Sequence, residues 1–178
     1  MKLSKINIIT AIAFVTAITF TSCSKDDGAI PDNVSFQDIP MISINLESSS
    51  TVFTALIPFT DQASFQGKYK FSMYFPDKTP PTKIDVVARK RNGTTSAVKL
   101  IKADVTSLPA SFTITAAELV TLFGGPLVLK DSIDIAHDFY VGSKKYEAWP
   151  ASGVVGSGPG VVGMSGVGFG EKITYIVR

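Results

Sequence analysis

Tyr69-Lys70-Phe71-Ser72-Met73-Tyr74-Phe75 carries the period that decides the fold. Tyr69, Phe71, Met73 and Phe75 fall on one side of an extended chain, and Lys70, Ser72 and Tyr74 on the other. Period 2 marks a strand with one buried face. The same alternation runs through Ser132–Val141, with Ile133, Ile135, His137, Phe139 and Val141 on one face and Asp134, Asp138 and Tyr140 opposite. Lys83–Arg91 and Thr94–Val105 are two further runs, joined by Asn92-Gly93. That pair accepts positive φ at both turn positions and predicts a hairpin. Met41–Glu47 aligns Ile42, Ile44 and Leu46, and Thr51–Pro58, Lys144–Trp149 and Glu171–Arg178 add three more runs. Thr115-Ala116-Ala117-Glu118 fits a capping box, and Gly124-Gly125-Pro126 stops that helix after about two turns. So short a helix connects strands and forms no layer of its own. About eight strands at short spacing predict an all-β fold: an antiparallel two-sheet sandwich over residues 41–178 with one short connector helix.

Composition narrows the function. The 178 residues, 45% apolar and 18% charged, suit one globular domain. A single cysteine excludes a disulfide framework and a Cys-rich zinc site, and a single histidine, His137, excludes the two-histidine zinc protease motifs. Residues 153–170 hold eight glycines in eighteen positions. Within them Gly158-Pro159-Gly160-Val161-Val162-Gly163 has GxGxxG spacing, but no helical pattern follows, so no dinucleotide cofactor is expected. The segment reads as a mobile hairpin loop, with a loop that orders on a ligand as the alternative.

The N-terminus is an address. Lys2 and Lys5 precede an apolar run from Ile6 to Phe20, which is short for a helix crossing about 30 Å of hydrocarbon. Phe20-Thr21-Ser22 then leads into Cys23. This resembles the lipobox of bacterial lipoproteins, with the small Ser22 at the cleavage position. The resemblance implies that residues 1–22 are a signal peptide and that Cys23 is diacylated and becomes the mature N-terminus. Read without it, the stretch is an ordinary secretory signal followed by a lone thiol, which an oxidising space would leave exposed to oxidation. Lys25-Asp26-Asp27 resembles the export signal that sends such lipoproteins to the outer face of the outer membrane; on its own it is a charged, solvated run. Residues 23–40, with Gly28, Pro31 and Pro40, read as a lipidated tether. Cleavage would remove Lys2 and Lys5 and no acidic residue, leaving 15 basic against 15 acidic residues. A neutral mature chain gives no electrostatic reason to bind nucleic acid.

No constellation for catalysis or metal binding stands out. His137 lies between Asp134 and Asp138 in sequence, but period 2 sends it to the opposite face, so a satisfied core or rim histidine is expected. Asp131, Asp134 and Asp138 lack the spacing of a calcium loop. Tyr140, Tyr146 and Trp149 bracket Gly142-Ser143 and are the candidate ligand-stacking residues, with sandwich core as the competing reading. Asp131-Ser132-Ile133 resembles a short bacterial O-glycosylation signal. Architecture and address together resemble the small immunoglobulin-like accessory lipoproteins of outer-membrane glycan-uptake systems. That resemblance implies a non-catalytic, lipid-anchored surface module whose partners are the membrane and a glycan or an uptake complex. A structural or adhesion spacer without a small ligand is the alternative.

Overall fold

The computed structural model describes residues 40–47, 51–150, 160–162 and 170–178, all within one compact unit. The expected signal peptide and most of the tether, with Cys23, Lys25, Asp26 and Asp27, lie outside the described residues, as does most of segment 153–170. In chain order the elements are β1 (Ile42–Leu46), β2 (Thr54–Ile57), β3 (Gln66–Met73), β4 (Lys83–Asn92), β5 (Thr94–Thr95), β6 (Lys99–Val105), β7 (Ala110–Thr115), α1 (Ala116–Phe123), β8 (Ser132–Val141), β9 (Lys144–Tyr146) and β10 (Lys172–Val177). A 3-10 segment, Phe59–Ser64, follows β2.

The strands form two sheets. The smaller has the order β1-β3-β7 and is antiparallel throughout. The larger has the order β2-β10-β8-β4, with β5 and β6 on the outer edge of β4 and β9 beside β8. One pair departs from the expected antiparallel pattern: β2 runs parallel to β10, with Thr54 beside Thr174 and Ile57 beside Val177. The cause is a crossing between sheets. After β1 the chain passes to the other sheet, where Leu46 N donates to Val52 O (3.0 Å) and Thr174 N to Phe53 O (2.8 Å). β2 therefore sets out alongside the last strand rather than against it. Ile44 N donates to Gly170 O at 2.6 Å and stitches the same corner.

The inner faces pack into one core. Ile42, Ile44, Tyr69, Phe71 and Ile114 come from the smaller sheet; Ile84, Val86, Ile133, Ile135, Phe139, Ile173 and Tyr175 come from the larger. Gly67 on β3 permits the closest approach, since a Cβ there would lie 2.6 Å from the Tyr175 ring. The capping box forms as expected: Glu118 N donates to Thr115 Oγ1 (3.2 Å) and Thr115 N to Glu118 Oε2 (2.7 Å). Gly124 ends α1 at φ 71°, and Leu119 is fully buried.

Three local expectations are corrected and one strand is added. β3 ends at Met73, so Phe75 does not share its buried face but stands exposed just ahead of Pro76. Asn92 is not left-handed, because it is the last residue of β4 and pairs with Thr94; only Gly93 turns (φ 71°), and the Asn92 side chain donates to Asp131 Oδ1 at 2.9 Å. The run Thr94–Val105 divides into β5 and β6, and β6 pairs with β4 through register shifts around Val86. The strand β7 was not anticipated, although Phe112 and Ile114 alternate with Ser111 and Thr113 there.

Two substitutions separate core from connector. Ile135→Ala should cost about 2–5 kcal/mol of unfolding free energy. Thr115→Ala should cost about 1 kcal/mol, the usual loss for an N-cap. Urea unfolding of the two variants checks this ranking; equal losses would make α1 a full member of the core.

Candidate binding groove on the outer face of the large sheet

The register of β4 against β8 decides what the outer face presents. It pairs Asp85 with Asp138, Val87 with Ala136, and Arg89 with Asp134. Asp134 has no exposed side-chain surface, yet it is fully partnered. It accepts from Arg91 Nε (2.8 Å) and Nη2 (3.0 Å), Thr174 Oγ1 (2.9 Å) and Arg89 Nε (3.3 Å). Burial alone would raise the carboxyl pKa; the bonds from Arg91 and Thr174 and the charges of Lys172 and Arg91 outweigh it and hold the pKa below the ordinary value.

Beyond β9 the chain folds back over this face. Asp138 Oδ1 accepts from Ala148 N at 2.7 Å, and Asp138 Oδ2 pairs with Lys145 Nζ at 2.8 Å. Ala148 is buried against Val87 and Ala136, with Trp149 and Val162 packed alongside. Beside this small cluster runs a groove of about 300 Å³ lined by Asp85, Val87, Val98, Leu100, Asp138, Lys145, Glu147 and Trp149. Val98 (42% exposed) and Leu100 (54%) form an open apolar wall. The opposite side is charged: Lys145 also reaches Glu147 at 3.3 Å, and Tyr140 Oη donates to Asp85 Oδ2 at 3.0 Å. Burial would lower the Lys145 pKa, but the bond and charge of Asp138 raise it above the usual lysine value. The groove thus offers an apolar wall and floor opposite carboxylates already paired with a lysine and a tyrosine.

The three aromatic candidates do not converge. Tyr146 stacks on Phe139 at 4.7 Å, on the core side. Tyr140 lies on the outer face, with Lys83 Nζ 4.4 Å from its ring. Trp149 is half-buried on the outer face rather than inside the sandwich, and the Arg89 guanidinium sits 4.5 Å from its ring. Arg89 already occupies a ring face that a stacked ligand would use. The groove residues on β4, β6 and β9 are not singled out in the sequence reading. The signal for them was apolar Val87 on the polar face of its strand, opposite Ala136.

His137 does face away from Asp134 and Asp138, into the core, where Phe71 meets it edge-on at 5.5 Å. It is not a satisfied histidine: neither ring nitrogen has a hydrogen-bond partner. Burial pushes its pKa down to about 3. Ser132, the centre of the glycosylation-like triplet, lies inside β8 between β4 and β10, and Asp131 is buried. The glycine-rich segment is fastened at its middle. Val161 N donates to Glu147 O (2.9 Å), Val162 N to Ala148 O (3.3 Å), and Val161 is buried in the main core. A mobile loop does not describe residues 160–162.

Among the described residues no group of three or more His, Cys, Asp or Glu side chains could hold a metal ion, and no helix is long and apolar enough to cross a membrane. No protein-family model matches the chain, and neither a curated protein nor a solved structure is significantly similar to it. The fold therefore stands on its own geometry: among the described residues, a two-sheet β-sandwich with one short α-helix.

The buried imidazole makes stability pH-dependent in a definite direction. Its folded pKa of about 3 lies below the unfolded value of about 6.5, so its neutral form is compatible with folding above pH 6.5. As pH falls below that, the unfolded chain takes up the proton and stability drops, by at most about 1.4 kcal/mol per pH unit. His137→Leu should flatten the curve between about pH 6 and pH 3 relative to wild type. Urea midpoints across that range test it; parallel curves for the two proteins would reject the assignment.

Proposed function

We propose that this chain is a lipid-anchored, non-catalytic module on the outer face of a bacterial outer membrane, where it binds a glycan or another nutrient ligand or docks to an uptake complex. The observation that carries the anchor is Ser22-Cys23, the only cysteine, placed at the exit of the apolar run. Lys25-Asp26-Asp27 carries the outward direction. The groove beside Trp149 supports the binding reading because it joins an apolar wall to fixed polar groups, the usual make-up of a small-ligand site.

The strand order supports an immunoglobulin-like relation. With β1 and β2 as a split first strand, the sheets become A-B-E and A′-G-F-C-C′, close to the immunoglobulin pattern. The contact between Phe71 on β3 and His137 on β8 spans the same two strands that the inter-sheet disulfide joins in antibody domains. A second reading, a structural or adhesion spacer, is favoured by one observation: each of the three candidate rings already has an intramolecular partner.

Two experiments test these readings. Cys23→Ser should abolish fatty-acid labelling and release the protein from membranes; unchanged labelling would remove the anchor. The soluble chain from Ser24 onward should bind a member of a glycan array, and Leu100→Arg should abolish that binding with little change in melting temperature. Retained binding in Leu100→Arg would move the site elsewhere, and a silent array would favour the spacer.

A further inference from the structure

The two ends of the sandwich expose different chemistry. One end gathers Pro40 and Met41, where the described chain begins, with the β3–β4 connection and the β8–β9 turn. Tyr74 N donates to Met41 O (2.8 Å), Thr82 N to Tyr140 O (2.8 Å), and Gly142 N to Thr82 Oγ1 (3.0 Å). The opposite end holds the β4–β5 turn, α1 and Arg178, because β4 and β7 run towards it and β8 runs away from it. At the first end Tyr74 is 48% exposed, Phe75 44% and Val141 38%. The two rings meet edge-on at 4.9 Å and form one tip. Lys78, whose N donates to Phe75 O at 3.1 Å, and Lys144, whose Nζ lies 4.8 Å from the Tyr146 ring, are exposed at this end, with Asp77 as the acid beside Lys78. None of these residues lines the groove.

We propose that this end of the sandwich rests on a lipid surface, with Tyr74, Phe75 and Val141 entering the headgroup layer and Lys78 and Lys144 facing its phosphates. The proposal rests on the lipid-anchor reading of Cys23 given above. Two observations select lipid as the occupant. The chain that leads from Cys23 through residues 24–39 enters the fold at this end, at Pro40, so the opposite end lies a further strand length, about 33 Å for ten residues, from the anchor. Exposed aromatic rings beside lysines also match an interface that is apolar below and anionic above. Phe59, Val128 and Leu129 are exposed too, but at the opposite end, a strand length from the tether.

The test uses the lipidated full chain in vesicles of phosphatidylethanolamine and phosphatidylglycerol. A polarity-sensitive fluorophore is placed at Asp77→Cys on the tip or at Ala63→Cys at the opposite end. The label at 77 should shift to shorter wavelength and be quenched by brominated lipid; the label at 63 should stay water-exposed. Adding Tyr74→Ser and Phe75→Ser should abolish the shift at 77. Equal exposure of both labels, or stronger quenching at 63, overturns the proposal. So does a shift at 77 that occurs on cells but not on vesicles, because the tip would then face a protein. Fatty-acid labelling of the same preparations tells the two failures apart. If Cys23 carries no lipid, the anchor reading fails, and the tip is judged by co-sedimentation of the soluble chain from Ser24 with the same vesicles. Binding that the Tyr74→Ser and Phe75→Ser changes remove then supports the tip, and absence of binding overturns it.

Discussion

The antiparallel pairing of β4 with β8, unbroken from Lys83 beside Tyr140 to Arg91 beside Ser132, is the constraint on which the rest of the structure depends. Its inner side supplies Ile84, Val86, Ile133, Ile135 and Phe139 to the core. Its outer side sets Asp134 under Arg89 and Arg91, and Val87 and Ala136 under Trp149. Both sides are set by one register. A slip of one residue would send the whole apolar set outward and bury the arginines and aspartates. The groove and the core are therefore consequences of the same pairing.

The protein treats buried polar groups in two ways. On the outer face, Asp134 and Asp138 are nearly or fully hidden but accept hydrogen bonds from surrounding donors. Trp149 Nε1 on the same face has no partner, and in the interior His137, Tyr69 and Tyr175 also carry polar atoms with none. Glu171 joins them: its two carboxyl oxygens lack partners, and burial raises its pKa. Each costs stability even when neutral and far more when charged, which is why burial moves the His137 and Glu171 pKa values in opposite directions towards the uncharged forms.

Much of the fold was readable because it rests on local signals. Period 2 located β1, β8 and β10, and the capping box located α1. The misses share one cause, dependence on partners distant in the chain. Ala110–Thr115 became a strand because β3 offered its free edge. Val161 entered the core because carbonyls at Glu147 and Ala148 fastened its neighbourhood. The candidate site was less readable still. Tyr140, Tyr146 and Trp149 are close in sequence, yet Tyr146 lies on the core side and the other two on the outer face. The groove that does form takes residues from four separate stretches of chain.

By itself the sequence determined that residues 41–178 are a β-domain, which faces β1, β3, β8 and β10 bury, where α1 starts and stops, and that His137 and its flanking aspartates point opposite ways. These follow from alternation and capping, which operate within a few residues. Tertiary structure alone decided the parallel seat of β2, the orphaned imidazole and the groove beside Trp149. Each of these needs strands far apart in the chain to meet, and the free energy that selects the meeting comes from burial across both sheets, which no single segment carries.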